Sequence, residues 1–265
     1  MSLGMVVKAP EGLVLAADSR VTVEAKRSDA EGAASGEVMR VDYDNAVKVL
    51  SFASPNDWVG AGTYGLAAIG ARTPHSFLPE FESTLPATRL PLQEFAERMS
   101  AFFAEQWQAT QGPKPWSGPD ITFVVAGFDE GTPYGRVFLF EIPRSPVPVE
   151  QNAEPGEFGI TFGGQHDVVD RLLGGFDPRL PALLASEFGL TPERTQELAG
   201  RLATELQWQL PLPAMPLQDC VDLAVFFVRT TIAAQRLAIM HRGCGGPVDV
   251  ATITRRNGLE WVQRK

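Results

Sequence analysis

The chain is poor in cysteine and histidine. Its 265 residues include only two cysteines, Cys220 and Cys244. Two cysteines cannot build the disulfide framework of a small secreted domain, so a reducing cytoplasm is the expected location. The three histidines, His75, His166 and His241, are scattered without the spacing of metal ligands. Neither a metal nor a cofactor is therefore expected.

Long apolar runs and an excess of basic residues are also absent. No stretch approaches the roughly 20 apolar residues that a membrane-spanning helix needs. The N-terminal apolar run is short, and it lacks the basic start of a signal peptide. The net charge of −9 argues against nucleic acid or an anionic membrane as a partner. With 44% apolar residues and no internal repeat, one domain over residues 1–265 is expected.

What the chain does contain is a pair of apolar runs at its start. They flank the turn sequence Ala9-Pro10-Glu11-Gly12, in which Pro and Gly fit turn positions. A type I turn closed by a glycine bulge would place Ala9 opposite Leu13. Counted outward from that pair, Ser2 and Asp18 become diagonal neighbours roughly 7–8 Å apart at their α-carbons. Because the second run is apolar on both faces, we expect Asp18 to be buried with a cationic partner.

Ser2 is a candidate nucleophile. A small residue after Met1 favours removal of the initiator methionine, which would make Ser2 the N-terminal residue. Its α-amino group has an ordinary pKa of about 7.7–8.0 and could accept the hydroxyl proton directly or through one water. Hydroxyl and amine would then replace the separate serine and histidine of a catalytic triad. The alternative is that a serine simply follows the start residue.

A second block of sequence carries a lysine inside an apolar run. Residues 45–52 predict a strand interrupted by Lys48, and a lysine in a buried strand needs an anion. Asp18 is the obvious partner. Residues 58–65 predict a strand that gives way to a glycine-rich turn containing Gly62, with a helix beginning near Tyr64.

These two blocks resemble one known family. Residues 2–20, SLGMVVKAPEGLVLAADSR, look like the opening of mature proteasome β-type subunits and their bacterial relatives, including the ancestral β subunit group. Those proteins begin with a nucleophilic Thr or Ser, followed by a two-strand hairpin and an Ala-x-Asp-Ser-Arg motif. The spacing from Ser2 to Asp18 matches the family without a gap, and so does the spacing from Lys48 to Gly62.

The resemblance implies an α+β fold, a four-layer αββα sandwich of two antiparallel sheets between helix layers. It also implies a cytoplasmic, bacterial peptidase that assembles as a homo-oligomeric ring or stacked helical array. Ser2 would attack the carbonyl of a peptide or unfolded protein, Lys48 paired with Asp18 would lower the relevant pKa values, and the Gly62 N–H would stabilise the oxyanion. An ATP-dependent unfoldase is a further partner known for such assemblies, and no motif here indicates one.

The chain departs from this family near its C-terminus. His241 and Cys244 fall where the family has an Asp and a Ser that contact the terminal amine, so both are candidate site residues. Residues 163–166, Gly-Gly-Gln-His, replace a Gly-Ser-Gly-Ser sequence. Two alternatives therefore stand beside the peptidase: an inactive assembly subunit, and an amidase of the same superfamily that acts on small molecules.

The remaining patterns predict the surrounding elements. Apolar spacing predicts helices over 90–111, 192–210 and 217–240, with a shorter one after His166. Strands are predicted over 121–128, 136–142, 158–162 and 248–254, and a loop over 143–156. Surface insertions are expected near 21–44, as a mobile loop, and near 177–216.

Overall fold

A computed structural model describes residues 2–28, 34–112, 115–239 and 242–265. The strands of this part of the chain are β1 (Leu3–Ala9), β2 (Gly12–Asp18), β3 (Val21–Ser28), β4 (Ala34–Tyr43), β5 (Val49–Ser51), β6 (Val59–Gly65), β7 (Ile121–Gly127), β8 (Arg136–Ile142), β9 (Ser145–Gln151), β10 (Gly159–Gly164), β11 (Val248–Thr254) and β12 (Gly258–Gln263). The α-helices are α1 (Leu78–Ser83), α2 (Leu92–Gln111), α3 (Asp167–Gly174), α4 (Leu180–Phe188), α5 (Pro192–Leu206) and α6 (Leu217–Leu237). Short 3-10 turns cover Pro74–Phe77 and Leu212–Ala214.

Two five-stranded antiparallel sheets form the centre of the fold. The strand order of the first sheet is β10-β1-β2-β11-β12, and that of the second is β5-β6-β7-β8-β9. Strands β3 and β4 form a separate two-stranded sheet among the described residues. Helix α6 packs on β1, β2 and β11 of the first sheet, while α2 packs on β7, β8 and β9 of the second. The predicted αββα sandwich is therefore confirmed.

Three clusters of buried side chains hold the layers together. Between α2 and the second sheet, the aromatic rings of Phe103, Phe123 and Phe140 stack with centroid separations of 4.4 and 5.0 Å. A second cluster fills the space between α6 and the first sheet, and a third fills the space between the sheets. Each fully buried side chain of this size contributes roughly 1.5–3 kcal/mol, so burial of the two sheet faces dominates the stability of the sandwich.

The register of the N-terminal hairpin differs from the prediction by one residue. Ala9 lies opposite Gly12, not Leu13, because only Pro10 and Glu11 form the loop. The shift pairs Gly4 with Ala17 and brings the backbone of Leu3 next to Asp18. Because residues of paired strands face each other one to one, a one-residue error in the turn changes every cross-strand neighbour of the candidate site.

Several surface predictions are corrected in the same way. Residues 21–44 hold the two-stranded ribbon β3–β4, not a loop, and residues 143–156 contain β9. No helix begins at Tyr64, because β6 continues to Gly65 and α1 begins only at Leu78. Residues 177–216 carry two helices, α4 and α5, where one was predicted. None of the helices in the described ranges is long and apolar enough to cross a membrane.

Candidate functional site

Asp18 is the centre of the candidate site. It is the last residue of β2, and only 1% of its surface is exposed. Its Oδ1 accepts hydrogen bonds from Lys48 Nζ at 2.8 Å and from the Leu3 N–H at 3.0 Å. Its Oδ2 accepts from the Gly245 N–H at 2.9 Å and from the Arg20 N–H at 3.1 Å. Four donors from separate segments compensate the burial of this carboxylate.

Lys48 lies just before β5 and is 6% exposed. Burial lowers the pKa of its ammonium group, and the nearby Asp18 carboxylate opposes that shift. Its backbone carbonyl accepts a hydrogen bond from the Thr63 N–H at 2.8 Å. The expected contact between Lys48 and Asp18 is thus present as a buried ion pair, which links the second sheet to the end of β2.

Ser2 lies beside this ion pair. It is 6% exposed, and its carbonyl accepts a hydrogen bond from the Gln165 N–H at 2.7 Å. A cleft between the sheets is lined by Ser2 and Lys48 together with Val21, Ala46, Val47, Thr63, Tyr64, Leu66, Ala67, Thr73 and Pro74. A candidate hydroxyl nucleophile and a candidate cation therefore border one narrow, largely apolar space.

Cys244 belongs to the buried cluster between α6 and the first sheet, and its N–H donates to Gln235 of α6. The thiol is free and 2% exposed, and burial raises its pKa to about 12. It is therefore neutral at physiological pH and cannot act as a thiolate nucleophile there. The structure brings Cys244 close to the site through the adjacent Gly245, whose N–H binds Asp18. His241 lies outside the described residues, and so does Met1.

Gly62 does not lie in the predicted turn. Gly62 is an interior residue of β6, paired with Val49 on one side and Val124 on the other. The Thr63 N–H points toward β5, because it donates to the Lys48 carbonyl. Backbone groups alternate between neighbouring strands, so the Gly62 N–H points the other way, into the ladder with β7. The prediction was wrong because it placed a turn where the strand continues.

Comparison with known proteins gives one type of match. No family model matches the sequence, and no curated protein sequence matches it. Among solved structures, the Gly-1 mutant of Anbu from Hyphomicrobium sp. strain MC1 superposes with a TM-score of 0.57 and 14% identity, covering 100% of this chain and 87% of that chain. A second structure of Anbu from the same organism gives a TM-score of 0.55 and 13% identity, covering 99% and 86%. The chain has the N-terminal nucleophile hydrolase fold.

These comparisons also correct the sequence-based family assignment. The N-terminal motif predicts a proteasome β-subunit of the ancestral type, yet no family model matches the chain. Identities of 13–14% to the Anbu structures establish a shared fold and nothing finer. The likeness is thus one of fold, and the prediction of that family was wrong.

Sequence reasoning missed two ion pairs that hold the site segments of this fold. Arg20 makes a two-pronged contact with Asp44, with N–O distances of 2.7 and 2.8 Å. Lys265 Nζ bonds the buried Asp249 carboxylate and also the Ala46 carbonyl at 2.7 Å. Both contacts fasten residues 44–48, the segment that carries Lys48. A buried acidic residue inside the apolar strand β11 was the available signal for the second pair.

Neither pair resembles a metal site. No group of three or more histidine, cysteine, aspartate or glutamate side chains within the described ranges could hold a metal ion. The carboxylates at the site are each occupied by a lysine or arginine side chain, as described above. The polar side chains that line the cleft include the Ser2 hydroxyl group and the Lys48 ammonium group.

Gly164 provides the first testable prediction. Its φ is +89°, and a Cβ built there would lie 1.8 Å from the Ser2 carbonyl oxygen. Gly164→Ala therefore has to displace Ser2, in addition to the backbone strain of about 1–2 kcal/mol expected for a left-handed residue. Gly156→Ala is the matched control, because Gly156 has φ +77° and open space around a Cβ. We expect the free energy of unfolding, measured in urea, to fall at least about 2 kcal/mol further for Gly164→Ala; equal losses would contradict the close approach.

Proposed function

We propose that the chain is an amide-bond hydrolase whose nucleophile is the Ser2 hydroxyl after removal of Met1. The observation that carries the proposal is that Ser2 and Lys48 border the same cleft while Asp18 binds both Lys48 and the backbone of Leu3. Hydroxyl, amine and ammonium groups would then surround one reacting carbonyl. The fold shared with Anbu is compatible with this role.

The reaction would proceed through an ester on Ser2. Ser2 Oγ attacks the carbonyl carbon, and its proton passes to the Ser2 α-amine directly or through one water. The resulting ammonium donates the proton to the leaving amine as the carbon–nitrogen bond breaks. Water then attacks the ester with the amine again as base, which releases the acid and restores Ser2.

Lys48 would act through its charge. A buried ammonium group beside the reacting carbonyl stabilises the negative charge that develops on the carbonyl oxygen, and it favours the uncharged form of the Ser2 amine. Asp18 keeps Lys48 at this place, since it is the hydrogen-bond partner found for the ammonium group. In a site that excludes water, such an interaction is far stronger than at the protein surface.

The alternative, an assembly subunit without catalytic activity, has one observation in its favour. The Gly62 N–H is directed into the ladder with β7, which supports a site without the oxyanion donor that the resemblance implied. Self-association is part of both proposals. Helices α4 and α5 pack mainly on each other and leave Leu183, Phe188 and Leu206 exposed, which supports a contact with a second copy.

The free thiols Cys220 and Cys244 support a reducing location such as the cytoplasm.

One experiment separates the enzyme from the assembly subunit. Natively expressed protein is treated with an acylating or epoxyketone-type probe, and the labelled residue is located by mass spectrometry of the N-terminal peptide. We expect Met1 to be absent and the label to be on Ser2. Unlabelled protein with a free Ser2 would support the inactive subunit. A parallel screen of peptides against simple acylamides then separates a peptidase from a small-molecule amidase.

A further inference from the structure

Two glutamine side chains, those of Gln165 and Gln235, link the segment after β10 to the segment before β11. Gln235 is 2% exposed and lies on the buried face of α6. Its Oε1 accepts the Cys244 N–H at 2.9 Å, and its Nε2 donates to Gln165 Oε1 at 2.9 Å. Both ends of this buried amide are therefore used, and each binds a different segment of the site.

Further hydrogen bonds lead from Gln165 and from Cys244 to the same peptide, the one between Ser2 and Leu3. The backbone N–H of Gln165 donates to the Ser2 carbonyl oxygen at 2.7 Å. Beyond Cys244, the next N–H, that of Gly245, binds Asp18 at 2.9 Å. Asp18 in turn binds the N–H of Leu3, the residue that follows Ser2, at 3.0 Å. The hydrogen bonds thus form a closed circuit that starts and ends at the peptide between Ser2 and Leu3.

We propose that Gln165 and Gln235 are positioning residues that fix the Ser2 main chain relative to Asp18 and Lys48. This inference rests on the proposed function of Ser2 as a nucleophile. The Ser2 carbonyl and the Leu3 N–H belong to one planar peptide, so holding both atoms fixes the orientation of that peptide. The α-carbon of Ser2, with its hydroxyl and its amine, then has only two rotatable bonds left for alignment.

The chemistry of the circuit has a further consequence. An amide–amide hydrogen bond carries no net charge, so Gln165 and Gln235 hold the segments together without changing their own protonation with pH. Neither side chain contributes a proton or a charge to the reaction. Their effect is confined to geometry, and a displacement of about 1 Å in such a site can cost about 100-fold in rate.

The test uses Gln235→Met, which keeps the length of the side chain and removes both hydrogen bonds. Gln218→Met is the matched control on the same helix, since Gln218 is exposed, donates to Asp222 at 3.0 Å and lies far along α6 from Gln235. At a temperature well below unfolding, we expect kcat for amide hydrolysis to fall about 10- to 100-fold in Gln235→Met, with KM changed less than about threefold. Gln218→Met should keep the kcat of the unmodified protein.

Gln165→Met breaks the same circuit at its other member, and it serves if Gln235→Met does not fold. Because both substitutions interrupt one circuit, the double variant should be no slower than the slower single variant. Additive losses in rate would overturn the circuit. An unchanged kcat in Gln235→Met, even with lowered stability, would reduce the glutamines to a structural link and overturn the proposal.

A second readout does not depend on activity. Amide hydrogen exchange of Leu3 and Gly245, the two backbone donors to Asp18, is followed by NMR with Val124 of β7 as an internal reference. We expect at least about tenfold faster exchange of both amides in Gln235→Met, and no change at Val124 or in Gln218→Met. If the unmodified protein hydrolyses no amide, the proposed function fails and this exchange alone decides the circuit. Unchanged exchange at Leu3 and Gly245 overturns it.

Discussion

Adding a single alanine in front of Ser2 is expected to abolish amide hydrolysis. The added peptide bond converts the α-amine into an amide, which has no basic lone pair, so the Ser2 hydroxyl loses its proton acceptor. We expect kcat/KM to fall by at least about 10³-fold, since a positioned base alone contributes about 10²–10⁴-fold. The free energy of unfolding should change little, because the newly made chain already carries a residue before Ser2.

The measurement compares fully processed protein with the extended form, after mass spectrometry has verified both N-termini. Ser2→Thr is the conservative control, because it keeps both the hydroxyl and the free amine, and it should stay active. Ser2→Ala keeps the amine and removes the nucleophile, so it should be inactive. Equal activity of the extended and processed forms would mean that the base lies elsewhere in the protein.

The second large effect concerns the buried ion pair. Lys48→Met is expected to lower kcat more than Asp18→Asn does, whereas Asp18→Asn is expected to lower the free energy of unfolding more. In Lys48→Met, Asp18 still accepts hydrogen bonds from the N–H groups of Leu3, Arg20 and Gly245. The carboxylate thus remains partly compensated, while the ammonium group that serves the reaction is gone. We expect a loss of at least about 10³-fold in kcat, with only a moderate loss of stability.

In Asp18→Asn, the amide oxygen can still face Lys48 and Leu3, but the new NH2 group meets the N–H groups of Arg20 and Gly245. Two donors then oppose one another inside the protein, next to a lysine without its counter-ion. We expect the free energy of unfolding to fall by about 3–5 kcal/mol, more than in Lys48→Met, and kcat to fall less. Urea unfolding and steady-state kinetics on both variants test the two rankings together; the same ranking in both measurements would contradict this division of roles.

The pH dependence of Asp18→Asn provides a further check on this pair. Burial lowers the pKa of Lys48, and the Asp18 charge partly reverses that shift. Without that charge the pKa of Lys48 falls further, so the ammonium loses its proton at lower pH. If the ammonium is required, the alkaline limb of the rate profile moves to lower pH in Asp18→Asn.

The buried ion pair could be predicted from the sequence because each partner is a charged residue in, or at the end of, an apolar run. A charge in such a position needs a counter-charge, and an aspartate and a lysine can supply it to each other. The hairpin register was less accessible, since the same turn sequence fits a two-residue or a three-residue loop. That single residue decides whether Leu3 or Gly4 lies beside Asp18.

The glutamine circuit could not be predicted, for a different reason. Gln165 and Gln235 are 70 residues apart, and their contact depends on how α6 crosses the first sheet. A neutral side chain on a mostly apolar helix face is a weak signal, because it does not demand one particular partner as a charge does. The turn predicted at Gly62 is wrong for another reason. The spacing from Lys48 to Gly62 matches the expected motif, but the direction of the Gly62 N–H depends on the backbone and is not encoded in spacing.

The ribbon β3–β4 has a consequence for how this protein can diverge. It leaves the body of the fold after Arg20 and returns before Asp44, and the ion pair between these two residues closes its base. This closure holds the first residues of the ribbon against the body of the fold, where Val21 lines the cleft beside Lys48. We expect a change of length between β3 and β4, past this closed base, to leave the Asp18–Lys48 ion pair in place. We therefore expect the length of the ribbon to vary among related sequences more than the spacing of the buried site residues.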